Sequence, residues 1–103
     1  MTPEKIKEIE EKITNAGKVI LNPAHTLEDV ITAGVDMTNV IADIQYALDT
    51  AFAAICLRPE CKDKPTAHIK RLYKAETAAE HRLRAIAKGY KATLKNIEYF
   101  FYK

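Results

Sequence analysis

The residues best suited to chemistry form a row. Lys70, Lys74, His81, Arg84, Lys88, Lys91 and Lys95 follow one another in alternating steps of three and four, with Thr77 in the single gap. That spacing keeps a set of side chains on one face of a helix. Every position but Thr77 carries a nitrogen proton donor, and Tyr73 and Tyr90 lie close enough in sequence to add ring contacts. Such a face attracts phosphate oxygens electrostatically, in a way that weakens with salt. Tyrosine rings would add affinity by stacking on a base. Lysine also decorates ordinary solvated faces, which is the plainer reading of the same row. Neither a Gly-rich phosphate loop nor the turn of a helix-turn-helix accompanies it.

Other chemistries find less support. Cys56 and Cys61 stand on either side of a short break. Free or buried thiols, a disulfide stapling the corner, and metal ligation are three readings of that pair. A zinc site needs about four ligands. Only His68 lies near in sequence, with His25 and His81 further off. His25 precedes a helix cap and reads as a local hydrogen-bonding residue. His68 and His81 have no partner three or four residues on that would complete a metal pair, and the Glu-x-x-His pattern of diiron bundles is absent. Glu8 and Glu11 imitate half of a magnesium motif but sit in a run of Lys and Glu. No nucleophile has a neighbouring base. The expectation is a protein that is not an enzyme and has no catalytic residue, metal or cofactor.

The row must be carried by a helix. From Pro65 to Tyr102 there is no proline after the first residue and one glycine, Gly89, so the stretch reads as one long helix or as two bent at Gly89. An apolar stripe of Ile69, Leu72, Ala79, Leu83, Ile86, Tyr90, Leu94, Ile97 and Phe101 runs nearly opposite the basic row. Two more helices precede it. Thr2, Pro3 and Glu4 make a helix start, and Ile6, Ile9, Ile13, Ala16 and Ile20 continue the pattern past Gly17 to about Leu21. After the break at Asn22–His25, Thr26 caps a second helix from Leu27 to about Leu57. Its seam reads Leu27, Ile31, Gly34, Met37, Ile41, Ile44, Leu48, Ala51 and Ile55, widened by Val30, Val40 and Phe52. Gly34 marks a bend or a close approach of helices. Asp29, Asp36 and Asp43, seven apart, form a solvated flank. The break from Arg58 to Lys64 is short, so the helices on either side should be antiparallel neighbours. With 103 residues, three glycines and four prolines, the chain is expected to be one all-α domain. Its form is a long antiparallel helical hairpin plus a shorter N-terminal helix, completed as a bundle by oligomerisation.

Charge is unevenly spread. The net +2 hides a segment of six acids against Arg58 over residues 26–61, balance −5, and one of eleven Lys or Arg against four acids over 62–103, balance +7. Either the acidic and basic helices pair, within or between chains, or the basic face binds a polyanion. The aromatic run Tyr99–Tyr102 cannot all be buried by one helix face, so a homo-oligomer is the expected partner. No secretory signal and no membrane-length apolar run is visible, which predicts a soluble cytoplasmic protein with no membrane partner.

Residues Ile44-Gln45-Tyr46-Ala47-Leu48-Asp49-Thr50-Ala51-Phe52-Ala53-Ala54-Ile55 resemble the alanine-rich helix ending of small helical-hairpin sponge proteins of phages. Arg84-Ala85-Ile86-Ala87-Lys88 is similar to the helix ending of another branch of those sponges. The second helix here is longer, and a basic helix follows where the family's hairpin stops. The resemblance implies an oligomer that sequesters a cyclic-nucleotide immune signal without hydrolysing it, with Arg84 and Lys88 as ligand contacts. Together these observations lead to a non-catalytic helical homo-oligomer that binds a phosphate-bearing small molecule or nucleic acid. The alternative is a structural or adaptor protein of a virus or mobile element, its charged helices serving assembly alone.

Overall fold

Four local signals start and stop the helices of the computed structural model, which describes residues 1–102. The Thr2 hydroxyl accepts from the Lys5 N–H at 3.1 Å and opens α1, Pro3–Leu21, with Pro3 in the first turn. Asn22 stops it. Its side-chain oxygen accepts from the Ala24 N–H at 2.9 Å, and His25 places Nδ1 3.1 Å from the Val19 carbonyl. Thr26 and Asp29 then form a reciprocal capping box that starts α2, Leu27–Cys56. A short 3₁₀ turn, Pro59–Cys61, and a left-handed Asp63 at φ 65° reverse the chain. Asp tolerates that conformation better than most residues. Helix α3, Thr66–Glu76, and helix α4, Ala78–Phe101, complete the molecule. Among the described residues there is no strand.

Helices α1, α2 and α4 pack on one another, and α3 packs on α2. The core is one cluster. It joins Ile9, Ile13 and Ala16 of α1 to Val30, Ala33, Met37, Val40, Ile44 and Leu48 of α2 and to Leu83, Ala87 and Leu94 of α4. Each fully buried aliphatic side chain of this kind contributes about 1.5–3 kcal/mol. The direction of α4 is fixed at both ends. Phe101 meets His25 with ring centroids 5.9 Å apart and planes tilted by 57°, beside the start of α2, while Thr77 and Glu80 line a pocket with Ala51 and Ala54 near its end. Thus α2 and α4 form the antiparallel hairpin and α1 runs alongside α4. Tyr90 touches α1 at Gly17, where a Cβ would stand 3.4 Å from the ring. The bundle is long and thin, 57 × 27 × 16 Å with a radius of gyration of 17.0 Å. A compact domain of similar length has about 13 Å.

Several expectations need correction. The break in the basic helix is at Thr77, not Gly89. Thr77 leaves helical geometry at φ −118° and ψ 20°, and its buried hydroxyl donates to the Tyr73 carbonyl. Gly89 sits inside an uninterrupted α4. The α2 seam is also rotated. Val30 and Ala33 enter the core, whereas Ile31 is on the surface and Gly34 is only half-buried. Gly34 is neither a bend nor a close approach, because a Cβ there would meet nothing within 4 Å. On α4 it is Ala87, not Ile86, that is fully enclosed. Of the three readings of the cysteine pair, free thiols is the one found, with Cys61 buried in the turn and Cys56 exposed.

Candidate anion-binding face

Helix α4 brings His81, Arg84, Lys88, Lys91 and Lys95 onto one flank. Lys88 and Lys95 are exposed, and His81, Arg84 and Lys91 are half-buried. The flank faces along α2 rather than directly away from it. Lys91, Leu94, Lys95 and Glu98 form one wall of an open groove whose other wall is Ile31, Gly34, Val35 and Thr38 of α2, with a volume of about 380 Å³. Gly34 deepens the groove by lacking a side chain. The Thr38 hydroxyl is turned inward, donating to the Gly34 carbonyl at 3.0 Å.

Lys70 and Lys74 are exposed on α3, beyond the break, so they lie in a separate helix from the rest of the row. Thr77, which fills the gap in the sequence pattern, is buried. The two tyrosines are engaged within the protein. Tyr73 packs edge-on against Phe52 of α2 and against His81, each at 5.3 Å between ring centroids. Tyr90 points to the α1 side, at Gly17, and so stands apart from the groove.

The ion pairs decide how much of the positive charge is already answered. Among the described residues they are Lys5–Glu8, Lys5–Asp43, Lys12–Glu8, Arg58–Glu76 and the amino terminus with Glu80. None involves Lys70, Lys74, His81, Arg84, Lys88, Lys91 or Lys95. The acidic helix does not neutralise the basic one within the chain. Its one paired acid, Asp43, meets Lys5 of α1 at 3.2 Å and holds that ammonium's pKa above its ordinary value. Of the acids near the row, Glu98 lines the groove beside Lys95 without joining any of these ion pairs, and two others are turned elsewhere. Glu76 takes a two-pronged bond from Arg58, with Nη1 2.7 Å from Oε2, and that bond holds its carboxyl below the usual range. Glu80 is buried beside the amino terminus at 3.7 Å. His81 Nε2 and Arg84 Nε are enclosed without a hydrogen-bond partner in the protein. Buried donors of this kind are usually satisfied by something.

No trio of His, Cys, Asp or Glu among the described residues is placed to hold a metal ion. No described helix is long and apolar enough to cross a membrane. Sequence reasoning missed the part played by three residues. Ile31 and Val35 were legible only once the α2 seam was known to pass through Val30 and Ala33. Glu80 had a signal, since it falls on the apolar face with Leu83 and Ala87, where a carboxylate must find a partner. No protein-family model, no curated protein and no solved structure matches the chain.

Proposed function

We propose that the chain is a non-catalytic, homo-oligomeric helical protein that captures a phosphate-bearing ligand, a nucleotide signal or a nucleic acid, on the basic flank of α4. One observation carries the reading: the cations of the row have no acid within salt-bridge distance among the described residues, while Glu76 and Glu80 are committed to other partners. An unanswered row of charge beside a groove is suited to an anion. The groove supports a small nucleotide in particular. Its volume of about 380 Å³ lies in the range of small-molecule sites, roughly 300–1,000 Å³. Lys91 and Lys95 would meet phosphate, and Ile31 and Val35 offer an apolar wall to a base. Stoichiometric capture without hydrolysis would make the protein a sponge of the phage anti-defence kind.

The competing reading is an adaptor or structural protein of a virus or mobile element. The exposed aromatic end of α4 favours it, since Tyr99, Phe100 and Tyr102 are each more than three-fifths exposed. One binding screen separates the two. The protein is titrated at low salt with a panel of cyclic nucleotides and with linear double-stranded DNA, and bound nucleotide is recovered and weighed by mass spectrometry. Tight binding of an intact small nucleotide supports the sponge. Affinity that grows with polymer length supports nucleic acid. Binding of neither leaves the row to assembly.

A further inference from the structure

Helix α2 has a second apolar stripe on the side turned away from the core. Ile31, Val35, Ala42, Tyr46, Ala53 and Leu57 are all exposed, Tyr46 to 76% and Leu57 to 84%. At about 100° per residue they cluster opposite Met37, Ile44 and Ile55. The stretch from Ile31 to Leu57 holds three charged residues, Asp36, Asp43 and Asp49. Asp36 and Asp43 fall on the α1 flank, where Asp43 meets Lys5. Asp49 alone borders the stripe, and it accepts a hydrogen bond from Gln45 at 2.9 Å. The outer face of α1 is different, with exposed Lys7, Glu8, Glu10, Glu11 and Lys18. A solvated helix face normally looks like that of α1.

The stripe can be matched in register to a second copy of itself. Its steps are four, seven, four, seven, four, the same read in either direction. A pattern symmetric about Ile44 fits a second copy of itself running antiparallel. We infer that the outer face of α2 is the seam of an antiparallel homodimer, with Ile31, Val35 and Ala42 of one copy against Leu57, Ala53 and Tyr46 of the partner subunit. Large residues then meet small ones at Val35–Ala53 and Ala42–Tyr46, which lets the helices interdigitate. The electrostatics agree. In this register Asp49 of the partner subunit comes level with Asn39, next to Thr38, which shares a groove with Lys91. The bordering carboxylate therefore faces an unanswered ammonium. The seam spans 26 residue rises, about 39 Å, and at a helix width of about 10–12 Å the strip covers about 400–470 Å². A standard stable interface takes about 800 Å² from each partner, so the flanks of the neighbouring helices must add to the strip. The twofold axis lies parallel to the contact surface and perpendicular to the helices, so it brings both basic flanks to the same side of the dimer.

This inference rests on the homo-oligomeric part of the reading above; in such a dimer the partner subunit covers Ile31 and Val35, so the seam leaves an anion the exposed part of the basic flank and not the apolar wall of the groove. The test is cross-linking of the full chain in a Cys56→Ser background, which removes the exposed native thiol. Val35→Cys combined with Ala53→Cys should give a disulfide-linked dimer on mild oxidation. Either substitution alone should not, because like positions are then about 27 Å apart. Tyr46→Asp, at an exposed site, should weaken dimerisation about a hundredfold or more with helical circular dichroism unchanged. Linking by Val35→Cys alone would overturn the antiparallel seam. So would a parent dimer that neither cross-links in the double variant nor responds to Tyr46→Asp, which would leave oligomerisation to the aromatic end of α4. A parent that is monomeric at high concentration in light scattering overturns both the seam and the homo-oligomeric reading, and leaves the stripe to a foreign partner.

Discussion

Reversing Lys88 and Lys95 together tests the basic flank most cleanly. Both are exposed and neither has an ion pair among the described residues, so the change should alter stability little. Arg84 is a poorer choice because it is half-buried with an enclosed Nε. The magnitude follows from the count of cations. Lys70, Lys74, Arg84, Lys88, Lys91 and Lys95 give at most six phosphate contacts. For double-stranded DNA the slope of log K against log salt would then be about −5, or about a thousandfold loss between 50 and 200 mM salt. Lys88→Glu with Lys95→Glu removes two contacts, leaving a slope of about −3.6 and a loss of about a hundredfold over the same range. A small nucleotide has no condensed counterion atmosphere, so its slope should be much shallower. Fluorescence anisotropy over a salt series measures both slopes, and circular dichroism melting checks the fold. Unchanged affinity and slope in the double variant would refute the assignment of this flank as a binding site. So would a large fall in melting temperature with no parent binding, since the lysines would then be serving assembly.

Three further outcomes are expected. Gly89→Ala should stabilise the protein by about 0.5–1 kcal/mol, read as a melting temperature several degrees higher, because Gly89 is mid-helix with open space around it; a lower melting temperature would mean that α4 bends there after all. The Glu76 carboxyl should titrate below the value of about 4.3 found in unstructured peptides, because Arg58 bonds its charged form. Its folded pKa is depressed, so the pair's contribution is present above the unfolded value and is lost as pH falls through the folded one; NMR titration checks it, and Arg58→Ala should return the midpoint upward. Cys56 should be alkylated in the native protein and Cys61 only on unfolding, which mass spectrometry after timed alkylation will show; two equally fast thiols would contradict the buried turn.

The helices were legible wherever local chemistry speaks for itself. Thr2 with Pro3, the Thr26–Asp29 box and the Asn22–His25 break are all short-range devices, and each lies where the sequence places it. The rotation of α2 was not legible, because that helix is apolar on two faces. Leu27-Ile31-Gly34 and Val30-Ala33-Met37 are both runs at helical spacing, and only packing against α1 and α4 chooses between them. The break at Thr77 was missed for a related reason. Threonine is acceptable inside a helix, whereas glycine invites suspicion, so attention falls on Gly89. The basic row was visible as a row. What periodicity cannot give is the identity of its neighbours: that Tyr73 is held between Phe52 and His81, that Tyr90 looks toward Gly17, and that Ile31 and Val35 face Lys91 and Lys95.

Helix α3 has eleven residues and buries none of them fully. Its attachments include Tyr73, packed against Phe52, His81 and the core, and the exposed Arg58–Glu76 pair, and Thr77 interrupts its continuity with α4. An isolated helix shorter than about 12–15 residues is marginal in water. The unit should therefore open locally at a small fraction of the global unfolding free energy. In hydrogen–deuterium exchange its amides should be the first helical ones to label, well ahead of those flanking Ile44. The cationic row is in this sense two parts of unequal rigidity. The α4 part is preorganised, while Lys70 and Lys74 ride on a segment whose ordering would be charged to any ligand that uses them. A compact ligand confined to Lys91 and Lys95 avoids that entropic cost, whereas one long enough to reach α3 would bind with slowed exchange there as its signature.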